Sequence, residues 1–127
     1  MRLAEWYSAG RWALALFASG ALAVSAVAHH GWTSYDESKP VTLTGTIRDA
    51  GWENPHGFIR LQVDNGKGKT WTATLAPPSR MESRGLKKSG LKVGATATVV
   101  GSPSKTNSDE VKAERITVDG KTIELRR

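Results

Sequence analysis

Cysteine is missing altogether from this chain of 127 residues, which excludes disulfide frameworks, thiolate metal centres and cysteine nucleophiles together. Catalytic signatures are missing too. There is no G-x-S-x-G elbow, no H-E-x-x-H pair, no P-loop and no Rossmann glycine pattern, so the motifs of the common hydrolase, zinc-protease and nucleotide-binding sites are absent. Acidic residues are in the minority, with 12 Asp and Glu against 18 Lys and Arg for a formal charge of +6. That imbalance bears on association with acidic partners and leaves the fold open. What remains, 39% hydrophobic and 24% charged residues, is the composition of an ordinary globular domain, and the length allows one.

The first 28 residues read differently from the rest. Arg2 and Arg11 flank a polar opening, and Trp12 to Ala28 carries no charge. The stretch ends Ala26-Val27-Ala28, with small residues at the two positions a signal peptidase inspects. Basic start, short apolar run and A-x-A ending make residues 1–28 a secretory signal peptide. The run is too short for a spanning helix and is broken by Gly20 and Ser25, so no stable membrane anchor is expected after cleavage. Cleavage is expected after Ala28, with Ala26 as the alternative, and the periplasm is the expected destination. Roughly one hundred residues then remain, enough for a modest core.

Residues 29–40 form a polar, turn-rich arm, and residues 41–127 read as one β domain. Val41, Leu43 and Ile47 alternate with Thr42, Thr44 and Thr46, the period of a half-buried strand. Gly45 interrupts that inward series and is expected to mark a bulge or tight bend. After a turn at Trp52–Gly57, Ile59, Leu61 and Val63 alternate again. Asp64–Gly68 then reads as a hairpin loop, and Trp71, Ala73 and Leu75 define a third strand with Trp71 in the core. Pro77–Lys88 is the one helical stretch, a turn or two long. A strand over Ala95–Gly101 and a pair over Val111–Val118 and Thr122–Leu125, hinged at Asp119-Gly120, complete the chain. Three strands, a short helix, then the final strands is the order of a five-stranded OB-like Greek-key barrel. A small β-sandwich is the alternative.

His29-His30-Gly31, Tyr35-Asp36, Val41-Thr42-Leu43-Thr44-Gly45-Thr46-Ile47, Trp52-Glu53-Asn54-Pro55-His56 and Leu91-Lys92-Val93-Gly94 resemble a family of small exported bacterial proteins, domain of unknown function 6152. The resemblance covers essentially the whole chain after the signal. It implies export and a barrel-like fold and brings no activity with it. Bulky residues are frequent in that family where Ala50-Gly51 stand here.

The three histidines, His29, His30 and His56, lie at the start of the arm and in the first inter-strand loop, which borders the usual OB binding face. A chain starting at His29 would offer an α-amine and an imidazole on one residue, a chelate suited to copper. A chain starting at Val27 would place His29 third, where amine, amides and imidazole wrap copper in a square plane. The expected function is therefore a periplasmic binding module for a divalent metal such as copper through His29, His30 and His56. Asp36 and Glu53 stand as candidate partners for imidazole N–H groups. The plainer readings are a solvated chain start for His29 and His30 and turn chemistry for His56.

The alternative function is a metal-free module binding a small ligand or protein, with Trp52, Glu53, Asn54, Pro55, Trp32 and Tyr35 as contacts. The aromatics would suit base stacking. However, Lys67/Lys69, Arg84/Lys87/Lys88/Lys92 and Arg126/Arg127 are dispersed, and an exported protein meets little nucleic acid, so nucleic acid is not an expected partner. Histidine-brace oxidation is the one enzymatic chemistry left open; otherwise the residues point to binding, not catalysis.

Overall fold

Alternating Val, Ile, Leu and Thr give one strand after another, because branched side chains pack well on a pleated surface whose residues alternate between faces. The computed structural model describes residues 31–63 and 68–127. The expected signal peptide, His29, His30 and most of the 64–68 hairpin loop thus lie outside the described residues. Six strands follow: β1 (Val41–Gly51), β2 (Phe58–Val63), β3 (Lys69–Thr74), β4 (Thr96–Pro103), β5 (Glu110–Val118) and β6 (Lys121–Glu124). A six-residue helix, α1 (Pro78–Ser83), sits between β3 and β4, opened by prolines that its first turn tolerates.

The sheet runs β3-β2-β1-β4-β5-β6, and a parallel pairing of Thr72–Thr74 with Glu110–Lys112 joins β3 to β5. Five strands therefore close into a barrel, with β6 as an extra strand on β5. This is an OB-like barrel with its helix at the expected place. Closure removes most free edges. At the end of β6, Arg84, which follows α1, donates to the carbonyls of Glu124 and Arg126, both at 2.7 Å.

Leu43, Ile47, Ile59, Leu61, Leu75, Val99, Ile116 and Val118 share one interior, as their alternation predicts. Two residues expected with them, Val63 and Trp71, are only partly buried at its margin. Trp71 is half-buried, with the Lys69 ammonium 4.2 Å from its ring centre.

Gly45 plays a different part from the one expected. The register of β1 against β2 shifts at Arg48, between Ile47 and Asp49, so the bulge lies there. Gly45 remains in the ladder opposite Ala97, close to where β1 passes from pairing β4 to pairing β2. Any Cβ there would run into the carbonyl of Gln62, and a residue without one lets the strands cross closely. A second register shift in β5 leaves Glu114 unpaired between Ala113 and Arg115. Consequently Val111 and Ala113 join Ile116 and Val118 in the interior, although strict alternation separates the two pairs.

Candidate functional site

The arm does not trail away from the barrel. Trp32–Ser34 makes one 3-10 turn, Tyr35 bridges to Ser104, and the Asp36 amide donates to the Pro103 carbonyl at 2.8 Å. The Tyr35 hydroxyl donates to Glu110 Oε1 at 2.6 Å. Burial and that carboxylate push the phenol up to about 12. Lys105 Nζ donates to the Thr33 carbonyl at 2.9 Å, and Glu37 pairs with Arg126. These contacts lay the arm across the outer face of β5.

The segment from Trp52 to Gly57 approaches the same region from the other side. Asn54-Pro55 is a cis peptide. Gly57 then pairs with the chain leaving β3: its amide donates to the Ala76 carbonyl at 3.0 Å and its carbonyl accepts from Leu75 at 2.8 Å. A Cβ on Gly57 would come within 2.7 Å of Met81 Cε in α1, so a larger residue would have to displace the Met81 methyl for the loop to seat against the helix. Seated this way, His56 is half-buried on the wall of a cavity of about 580 Å³.

Arm, loop, helix and chain end all contribute to that cavity. Gly31 and Trp32 come from the arm, His56 from the loop, Arg80 from α1, Lys112 from β5, and Arg126 and Arg127 from the chain end. Leu75, Ala76, Ala113 and Leu125 form apolar parts of the wall. No Asp or Glu among the described residues lines it.

Lys112 is the unusual member. It is only 8% exposed and forms no ion pair among the described residues. Its ammonium lies instead 5.2 Å from the Trp32 ring centre and 5.8 Å from that of Tyr35. Burial, with the Arg80 charge adding to it, holds Lys112 below the ordinary lysine range, against an opposing pull from Glu110. The Glu110 carboxylate is already engaged by Tyr35 and by Asn107 Nδ2 at 3.3 Å. Arg126 lies 4.4 Å from the same Trp32 ring centre and is shared between Glu37 and Glu114. Burial, Lys112 and Arg80 together hold the His56 imidazole below the usual histidine range, so at neutral pH it is uncharged, able to donate from one ring nitrogen and accept at the other.

The residues singled out from the sequence therefore separate. Trp32 and His56 meet at the cavity. Tyr35 stands behind it as the anchor of the arm. The Asp36 carboxylate accepts from the Ser38 amide and hydroxyl at 3.0 and 2.5 Å, which fixes the arm's turn and holds its pKa low. Glu53, Asn54 and Pro55 are exposed. Trp52 lines a smaller groove with Ala50, Leu91 and Val93, apart from the basic cavity. His56 is the only one of the three histidines among the described residues, which contain no group of three or more His, Cys, Asp or Glu placed to hold a metal. Lys112, Arg80 and Arg126 were not indicated by the sequence pattern. Lys112 occupies an outward position between two inward ones, and only the arm folding back over it buries it.

Fold and site together define a small OB-like barrel with a basic, arm-covered cavity beside its first inter-strand loop. Residues 17–112 match the family of unknown function DUF6152, and the chain belongs to that family. No curated protein sequence matches it. Among solved structures it is similar to a chain in the crystal structure of a complex of TiaS with tRNA and ATP, with 18% identity and a TM-score of 0.48 over 72% of this chain and 19% of that one. The present chain thus spans about a fifth of that protein's length.

Proposed function

We propose that this protein is an exported, periplasmic binding module that holds a small ligand in the cavity between its N-terminal arm and the Trp52–Gly57 loop. The observation that carries this reading is convergence: Trp32 from the arm and His56 from the loop line one cavity of about 580 Å³, within the range of small-molecule sites. Export is supported by the basic start, uncharged run and A-x-A ending of residues 1–28.

Copper held by His29, His30 and His56 is a second reading, favoured by one observation. Gly31, which directly follows His30 in the sequence, lines the same cavity as His56. Against it stands the charge of the wall, since Arg80, Lys112 and Arg126 repel a divalent cation.

Copper titration of the exported protein, whose intact mass fixes its first residue, separates the two readings. With a small-ligand module, His56→Ala leaves copper binding as it was, any chelation being due to the chain start alone. A single tight copper site lost in His56→Ala would transfer the function to the metal.

A further inference from the structure

The chemistry of the wall extends the small-ligand reading and rests on it: we propose that the ligand is a small oxyanion, a phosphate or an organic carboxylate, held by Lys112 and Arg80 beside the Trp32 ring. The Lys112 ammonium keeps access only on the cavity side. A lysine 8% exposed ordinarily has a carboxylate against it, because a charge withdrawn from most of its water is costly unless paired. Lys112 has two aromatic rings and a neighbouring arginine instead. Ring faces offset part of that cost, but the second cation adds to it, and the carboxylate nearest in the electrostatics, Glu110, is bonded elsewhere.

Arg80 is committed through one nitrogen, which donates to the Leu125 carbonyl at 3.2 Å. Its remaining donors are the fork that suits a carboxylate or phosphate edge. Arg126 already has Glu37 and Glu114, so it builds the rim while Lys112 and Arg80 supply the unmatched charge. His56, uncharged at neutral pH, adds one N–H donor. A cleft lined by one sign of charge concentrates the opposite sign, and an oxyanion here would supply the partner that the fold omits. A neutral ligand would leave the repulsion between Lys112 and Arg80 in place.

The test uses the processed full chain at fixed ionic strength, with inorganic phosphate and succinate as separate probes and a panel of neutral sugars and amides beside them. The NMR signals of the His56 imidazole and the Trp32 indole N–H report occupancy. Expected is a saturable shift of both signals by phosphate or by succinate, whichever saturates at lower concentration naming the source. Lys112→Met and Arg80→Gln should each weaken it at least about tenfold, the loss of one charge-assisted contact, while Lys69→Met should leave it unchanged. If Lys112→Met does not fold, Arg80→Gln carries the test. Equal anion affinity in parent and variants, or no saturable anion shift at all, overturns the proposal. In that event, neutral compounds shifting both signals would leave the small-ligand reading standing. Silence toward every compound, with copper saturating His56, would remove that reading as well.

Discussion

Around Lys112, strand β5 is covered on both faces. Val111, Ala113, Ile116 and Val118 point into the barrel, where they join the apolar core. Lys112 points the other way and is buried all the same, under Trp32 and Tyr35 of the arm. Burial of the first face drives folding, since each apolar side chain leaves water without losing a hydrogen bond. Burial of the second face works against folding, since it takes most of a lysine side chain out of water. It sets the ammonium beside two aromatic rings and against the Arg80 charge, with only the pull of an already bonded Glu110 to offset that charge. Inside, chemistry and stability agree. Outside, they conflict, and such conflicts gather where a protein binds or reacts.

The inner face gives the largest expected effect. Leu61 is fully buried and lies between Ile47 of β1 and Trp71 of β3 in the ladder. Leu61→Ala should lower unfolding free energy by about 2–5 kcal/mol, the loss of a packed leucine plus the cavity left behind. Chemical denaturation measures it, and a loss near zero would contradict a common interior.

The outer face responds more mildly. Tyr35→Phe removes the 2.6 Å bond to Glu110 but keeps the ring that covers Lys112, and should cost about 1 kcal/mol. The phenol's pKa is raised to about 12, above its unfolded value near 10. Its contribution is therefore complete below pH 10 and fades as pH rises from there to about 12. The parent should lose stability over that interval more steeply than Tyr35→Phe. Matching slopes would detach Tyr35 from the arm's hold.

Most of the inner face could be read from the sequence and most of the outer face could not. Period-two alternation identifies Leu43, Ile47, Ile59, Leu61, Val99 and Ile116 as interior because a sheet enforces that period locally. It fails at Val111 and Ala113, where the unpaired Glu114 changes the phase and only the pairing partner determines where that change falls. His56 and Trp32 were legible as candidates from residue type and position. Lys112 was not, because its burial depends on an arm some eighty residues earlier in the chain folding back across it, a contact with no periodic trace. Arg80 is equally silent, since a basic residue on a short helix is ordinarily a solvated one.

Lys112→Met inverts the sign seen on the inner face. It keeps an aliphatic side chain against Trp32 and Tyr35 while removing the unpaired charge, so stability should hold or rise by up to about 1–2 kcal/mol. A fall of that size would mean that the ammonium has a stabilising partner, and the contrast between the two faces of β5 would weaken. Lys112→Met should therefore bind anions less well while unfolding no more easily, a combination that damage to the fold does not produce.

The smallest effect is the titration of His56. Burial holds its pKa below the ordinary value, with Lys112 and Arg80 pushing in the same direction. Between that lowered value and the unfolded one near 6.5, the unfolded chain carries more protons than the folded chain. Stability should accordingly fall as pH drops through 6.5 and level off only below the folded pKa. His56→Gln should flatten that part of the profile without lowering stability at pH 8. Following the imidazole by NMR separates the contributions: Lys112→Met should bring the midpoint back toward 6.5 by removing one repelling charge, while burial keeps it from returning fully. An oxyanion in the cavity should raise it further, since it stabilises the imidazolium. A parent midpoint above 6.5 in the absence of added anion would show that His56 already faces a negative partner, and the cavity wall would no longer carry an unmatched positive charge.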